Sequence, residues 1–187
     1  MWNLADASCK ISIPCISACN SVSLASDGNT IASGSLDKYV RFWSLRSGEL
    51  IYAAKDLHKG PVSSVQFPYA ILSSSAHFSR REGHYVVSCG KDNLIKVLDV
   101  RNFKLIREIS HPDFSNNQTW MNFGFSPDGK NFAIGSGNGS VFVWNVDSGK
   151  LESTLKSLVA PITSCHWSYL GQSIAAVDKT GSVCVWS

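Results

Sequence analysis

Ala133-Ile-Gly-Ser-Gly-Asn138-Gly-Ser-Val-Phe-Val-Trp144 reads as two short strands joined by a glycine-rich turn and closed by a tryptophan. The same frame recurs without gaps as Ala32-Ser-Gly-Ser-Leu-Asp37-Lys-Tyr-Val-Arg-Phe-Trp43, as Val87-Ser-Cys-Gly-Lys-Asp92-Asn-Leu-Ile-Lys-Val-Leu98 and as Ala175-Ala-Val-Asp-Lys-Thr180-Gly-Ser-Val-Cys-Val-Trp186. A partial copy, Trp2-Asn3-Leu4, stands near the start. With the tryptophan position as origin, Trp2, Trp43, Leu98, Trp144 and Trp186 are 41, 55, 46 and 42 residues apart. Three of those steps suit a repeated four-stranded unit of about 40–45 residues; the longest requires an insertion.

Working outward from the frame, an alternating run such as Val62-Ser-Ser-Val65-Gln-Phe67 or Trp120-Met-Asn-Phe123-Gly-Phe125 predicts a preceding strand. Turns such as Ser26-Asp27-Gly28-Asn29 and Ser126-Pro127-Asp128-Gly129 reverse the chain after it. Beyond the tryptophan, Ser47-Gly48 or Ser148-Gly149 turns into an outer strand such as Lys150-Leu151-Glu-Ser-Thr-Leu155. No segment has a helical period, so the fold expected is an all-β radial array of four-stranded units.

Composition allows this and narrows little else. Of 187 residues 44% are hydrophobic and 17% charged, enough for a packed core. A net charge of +3, with no run of basic residues, gives no reason to expect nucleic acid. No apolar stretch reaches a membrane-spanning length of roughly 18 residues, and the start lacks a leader's basic residues, so a soluble intracellular chain is expected. Cys9, Cys15, Cys19, Cys89, Cys165 and Cys184 are sparse and mostly lie in apolar runs, which predicts small buried thiols rather than a disulfide framework. None makes the Cys-x-x-Cys bite of a zinc site, and no metal or cofactor is expected.

The repeat positions carry a structural network as well. An Asp in the turn between the second and third strands can accept from a His in the loop entering the first, with a Ser and the Trp indole N–H extending the chain of bonds. His58, Ser88 and Asp92 supply three members, while Leu98 replaces the indole. The first unit has Ser33, Asp37 and Trp43 but Cys15 in the His place; the units of Trp144 and Trp186 have Asn116 and Leu158 there. The staples are incomplete, so apolar stacking between units should dominate.

Ser33-Gly-Ser-Leu-Asp37-Lys-Tyr-Val-Arg-Phe-Trp43 resembles generic WD repeats. Ser88-Cys-Gly-Lys-Asp92-Asn-Leu-Ile-Lys-Val-Leu98-Asp-Val-Arg101, followed by Phe125-Ser-Pro-Asp-Gly129 and Gly135-Ser-Gly-Asn-Gly139-Ser-Val-Phe-Val-Trp144, with Ser17-Ala-Cys19-Asn20 upstream, is similar to the carboxyl-terminal propeller of autophagy-related protein 16-like proteins. The resemblance implies part of a seven-bladed WD-repeat β-propeller: a remnant at 1–13, blades at 16–53, 62–109 and 119–155, and a blade without its outer strand at 162–187. It implies a non-catalytic adaptor that docks proteins or peptides and helps direct lipidation of the ubiquitin-like autophagy protein. The conjugate of autophagy-related proteins 12 and 5 would be held by an amino-terminal segment and coiled coil not among these residues. Membrane association would be peripheral, through that complex, and the location cytoplasmic with recruitment to the phagophore assembly site. A rim site for helical peptides in animal members uses an aromatic and a lysine; Leu36 and Pro61 take those places, with Lys59 near enough to substitute.

Loops into first strands share a face with the turns between second and third strands. Lys38, Lys91 and Lys179 fall in those turns and give that face a basic rim beside His111-Pro-Asp-Phe114-Ser-Asn-Asn-Gln118, either as solvated turn lysines or as a dock for an acidic peptide or anionic headgroup. The insertion at about 69–83, with Ser73-Ser-Ser75 and Arg80-Arg81, is expected on the opposite face as a surface loop. Enzyme readings are weak. Gly135-Ser-Gly-Asn-Gly139 lacks the ending of a phosphate loop. His77 and His84 lack a third ligand, and Asp92 with His58 lacks a placed nucleophile and oxyanion donors. The alternative function is a WD adaptor of another pathway, such as a substrate receptor of a ubiquitin ligase.

Overall fold

Alternating apolar and small residues between turn signals fold each repeat into an antiparallel meander. A computed structural model describes residues 2–3, 5–68, 84–119 and 121–187. β1 (Trp2–Asn3) and β2 (Ser8–Cys9) form a short hairpin. Blade one comprises β3 (Cys19–Leu24), β4 (Thr30–Ser35), β5 (Val40–Ser44) and β6 (Leu50–Ala54). Blade two comprises β7 (Val62–Gln66), β8 (Tyr85–Gly90), β9 (Ile95–Asp99) and β10 (Lys104–Ile109). Blade three comprises β11 (Gly124–Phe125), β12 (Asn131–Gly135), β13 (Ser140–Asn145) and β14 (Leu151–Lys156), and blade four comprises β15 (Ile162–Trp167), β16 (Ile174–Asp178) and β17 (Val183–Trp186). The described residues form no helix, so none is long and apolar enough to cross a membrane. The architecture is an all-β partial propeller. The insertion at 69–83 and Trp120 lie outside the described residues.

The blades twist at repeated places. The ladder between the two inner strands shifts register between Cys19 and Ser21, between Val62 and Ser64, and between Ile162 and Ser164. The ladder to the outer strand shifts at Phe42/Trp43, Leu105/Arg107 and Val143/Trp144. An unpaired extra residue at the same point in three of the four sheets for each ladder sharpens the right-handed twist there. β11 is shorter than the run from Trp120 to Phe125 suggested. Asn122 instead bonds sideways, its N–H to Thr163 O (3.3 Å) and its carbonyl to Cys165 N–H (3.1 Å).

Contacts between blades are close because small residues stand there. Gly34 of β4 faces Val62 of blade two, and Gly135 of β12 faces Ile162 of blade four; a Cβ on Gly34 would meet Val62 Cγ1 at 2.6 Å, and one on Gly135 would overlap Ile162. Serines complete the first junction: Ser21 Oγ accepts from Val65 N–H (3.1 Å) and donates to Val65 O (3.2 Å), while Ser23 Oγ accepts from Phe67 N–H (3.0 Å). Behind them lie two apolar clusters, one centred on blade three and the other between blades one and two. Trp144 is 1% exposed and stacks on Phe142 at 5.2 Å, with Phe114 from the long loop edge-on to both rings. Burying such a ring contributes about 1.5–3 kcal/mol.

The cysteines only partly follow expectation. Cys89 and Cys165 are buried, and burial pushes both thiols up to about 12. Cys9, Cys15 and Cys19 are exposed. They lie on β2, on the link to β3 and on β3.

Gly135→Val should destabilise the chain by about 1–3 kcal/mol through overpacking, and Ile162→Ala in the same chain should recover part of that loss. Denaturant unfolding of the two single variants and the double variant measures the coupling; additive effects would place the contact elsewhere.

Candidate docking face

One backbone bond recurs at the same end of every blade. The N–H groups of Leu36, Lys91, Gly137 and Lys179, each in a turn between second and third strands, donate to the carbonyls of Ala18, Pro61, Ser115 and Pro161 at 2.9, 2.8, 2.7 and 2.9 Å. Each acceptor lies in the loop leading to the blade's innermost strand. Two loops per blade are thereby fastened side by side into a single surface.

Side chains reinforce this fastening differently in each blade. In blade two, His58 Nδ1 faces both carboxylate oxygens of Asp92 (3.0 and 3.2 Å), and Nε2 meets Ser88 Oγ at 2.9 Å. Asp92 Oδ2 also accepts from Lys59 N–H at 2.8 Å. His58 and Ser88 are 2% and 0% exposed, and the trio joins the entering loop to the turn and to β8 as a staple. In blade one the members separate: Trp43 Nε1 donates to Ser33 Oγ (2.8 Å), while Asp37 pairs with Arg41 (2.6 Å). In blade three, Ser136 Oγ accepts from Ser115 N–H (3.0 Å) and Asn138 Nδ2 donates to Asp113 O (2.8 Å). Asn116 turns away, donating to Ser63 Oγ (2.6 Å) and Gly90 O (2.9 Å). In blade four, Asp178 Oδ1 accepts from Thr180 N–H and Oγ1 and from Ser182 N–H at 2.6–3.0 Å. Trp144 lies opposite Phe132 and Trp186 opposite Ile174, and both rings pack into the blade-three cluster.

Arg41, Ser136 and Asp178 were not anticipated from the sequence. Asp178 stands two places before Thr180, the residue aligned with Asp92, so a motif read column by column passes over it. Ser136 and Asp178 share the column of Gly90, and polar residues there were the available signal.

Burial works against the charge on Asp92, but the hydrogen bond and charge of His58, with the Lys59 and Leu94 amides, hold its carboxyl below the ordinary value of 3.8. A depressed carboxylate contributes stability that is present above its unfolded-state value and is lost as pH falls through the folded-state value. Asp92→Asn should cost about 1–3 kcal/mol at neutral pH. The gap to the unaltered chain should close on acidification below 3.8, as read from urea midpoints across pH.

The expected docking residues line this face without forming one cluster. Leu36 is 48% exposed, and Lys38, Lys59 and Lys179 are exposed on blades one, two and four. Lys91 is half-buried, with Nζ donating to Thr119 Oγ1 at 3.2 Å. Lys38 adopts φ 76°, the left-handed turn position that Gly139 (φ 82°) and Gly181 (φ 88°) hold in blades three and four. A side chain there costs about 1 kcal/mol. Lys38→Gly should therefore leave stability unchanged or raise it by up to about 1 kcal/mol while removing one exposed cation; denaturant titration reads the sign.

A stack of four antiparallel β-blades whose loops are fastened at one end defines a repeat protein of the propeller class. The chain belongs to the WD domain, G-beta repeat family, whose pattern matches residues 8–44, 105–145 and 149–187. Most of blade two falls between the first two matches, although its strands are complete; it is the blade with Leu98 at the tryptophan position and the insertion. The chain is also similar to autophagy-related protein 16 of Arabidopsis thaliana, with 31% identity over 187 residues, 100% of this chain and 34% of that protein. It is 31% identical to Protein Atg16l2 of Mus musculus over 182 residues, 96% of this chain and 26% of that protein. These matches bear out the autophagy-related protein 16-like resemblance, and the chain spans about a third or less of such relatives' length. The crystal structure of the computationally designed Ika4 protein matches with a TM-score of 0.72 at 21% identity, covering 94% of each chain, and so shows the same fold.

Proposed function

We propose that the chain is a docking scaffold in autophagosome assembly, holding protein or peptide partners on the stapled loop face and helping to target lipidation of the ubiquitin-like autophagy protein. The observation that carries this reading is the similarity of the whole of this chain to 34% of autophagy-related protein 16, joined to a face whose loops are tied to the blades by backbone bonds. Fixed loops present a surface that need not be ordered on binding, which lowers the entropic cost of recognition. Exposed Lys38, Lys59 and Lys179 with Leu36 favour a ligand carrying acidic groups around an apolar anchor. The chemistry is recognition rather than turnover, since the His58–Asp92–Ser88 trio is spent on holding a loop. The conjugate of autophagy-related proteins 12 and 5 would be engaged through a segment outside residues 1–187, and the working location is the cytoplasm at forming autophagic membranes.

A fluorescently tagged chain should gather at puncta of the lipidated ubiquitin-like protein when cells are starved. The Lys38→Gly, Lys59→Glu, Lys179→Glu variant should lose most of that recruitment while unfolding at no lower a denaturant concentration. Diffuse fluorescence of the unaltered chain, or puncta indifferent to the three changes, would sink the reading.

A further inference from the structure

Two junctions between blades differ at the end of the array opposite the stapled loops. Tyr52 of β6 and Arg107 of β10 hold the same repeat position, nine places after Trp43 and Leu98, and pair with Phe42 and Val97 in the same register. Phe103 and Gly149 likewise share a position, five places after Leu98 and Trp144, and both are left-handed, at φ 56° and 68°. Between blades one and two, the Phe103 ring stacks on Tyr52 (4.4 Å, 13°) and lies 5.0 Å from Phe42. The ring closes that junction.

Between blades two and three Gly149 has no side chain to do the same, and a cleft of about 260 Å³ opens there. Its lining includes Val97 and Arg107, the counterparts of the two residues that Phe103 covers. It also includes Val146, the counterpart of Val100, which packs on the same cluster as Phe103. Blades two and three each have a blade on either side, so the cleft belongs to the interior of the array.

A cavity of about 150 Å³ holds a benzene molecule, so the cleft has room for an aromatic ring. Arg107 offers that ring a guanidinium plane, tethered by Nη2 donating to Asp147 O at 2.5 Å. Such planes stack on aromatic faces much as aromatic rings do. Ile106, 52% exposed, extends the apolar wall outward.

Charge selects what carries the ring. Asp99 is spent on Arg101, whose Nε and Nη2 donate to its oxygens at 2.5–3.2 Å, and Asp128 accepts from Ser126 Oγ and Lys130 N–H. Lys104 lies opposite Asp99 in the ladder, Lys130 O accepts from Val146 N–H at 2.8 Å, and Lys150 follows Gly149. All three lysines are exposed, so the mouth favours an anionic ligand.

We infer that this cleft binds an acidic peptide, taking one aromatic side chain between Arg107 and Val146 and setting neighbouring carboxylates against Lys104, Lys130 and Lys150. The ring of the ligand does between blades two and three what Phe103 does between blades one and two. The site stands apart from the stapled loop face, at the other end of the blades.

A short blocked peptide, Glu-Asp-Phe-Asp-Glu, with fluorine on its phenylalanine ring, tests this by fluorine NMR against residues 1–187. The resonance should shift and broaden on binding. The unlabelled peptide should reverse the change, whereas peptides with alanine for phenylalanine or lysine for the acidic residues should not. Gly149→Phe fills the cleft from within and should abolish binding; blade two already holds Phe103 in that backbone conformation, so the far-ultraviolet spectrum should stay unaltered. Arg107→Ala, which adds no bulk, should weaken binding by about two- to five-fold. The Lys38→Gly, Lys59→Glu, Lys179→Glu variant should bind as the unaltered chain does, which separates this site from the loop face. An unchanged resonance, binding that survives Gly149→Phe, binding lost in the triple-lysine variant, or binding that appears only after residues 69–83 are deleted would overturn the proposal.

Discussion

The innermost strands of blades two and four lie against glycines of the blades before them, and that closeness governs the molecule. Val62 rests on Gly34 and Ile162 on Gly135, each in a gap that a single added carbon would fill. With so little depth between sheets, the apolar residues on facing sides meet directly, and Val65, Phe67 and Ile162 are almost wholly buried. The core runs across blade boundaries, one cluster joining blades two, three and four and the other joining blades one and two, the condition under which repeat proteins gain stability from interfaces as well as from units.

The fastened loop face follows from the same constraint. Once strand pairs are held at fixed angles, the turns beyond them are close enough for one backbone bond per blade, from Leu36, Lys91, Gly137 and Lys179 to the neighbouring loop. The side chains added to that bond differ freely: a buried His–Asp–Ser trio in blade two, an Asp–Arg pair in blade one, a serine in blade three, an aspartate in blade four. Variation is tolerated because the main-chain bond and the sheet packing already fix the loop. It also spreads a basic rim along the face without drawing its lysines into one cluster.

Much of this was readable from the chain because strand alternation, turn residues and the tryptophan column are local signals. The frame ending at Trp43, Leu98, Trp144 and Trp186 predicted the β4–β5, β8–β9, β12–β13 and β16–β17 hairpins, and the spacing of His58, Ser88 and Asp92 anticipated their contact. Sideways relations were harder to read. Ser21 and Ser23 reach residues 44 positions away, and Asn122 leaves its own sheet to bond with blade four, distances at which sequence pattern carries no information. Asp178 and Ser136 were passed over because the staple moved two places along the turn. The exposure of Cys9, Cys15 and Cys19 was missed for a related reason: an apolar run predicts burial only when another surface lies against it, and which flank has a neighbour is a property of the array.

Hydrogen exchange of the backbone amides, resolved by strand, tests the dependence of each blade on its neighbours most directly. The account predicts the slowest exchange in β8, β9, β12 and β13, which are flanked on both sides, with protection falling toward β3 and β17. Protection that is uniform across the four blades, or greatest in blade one or four, would contradict it.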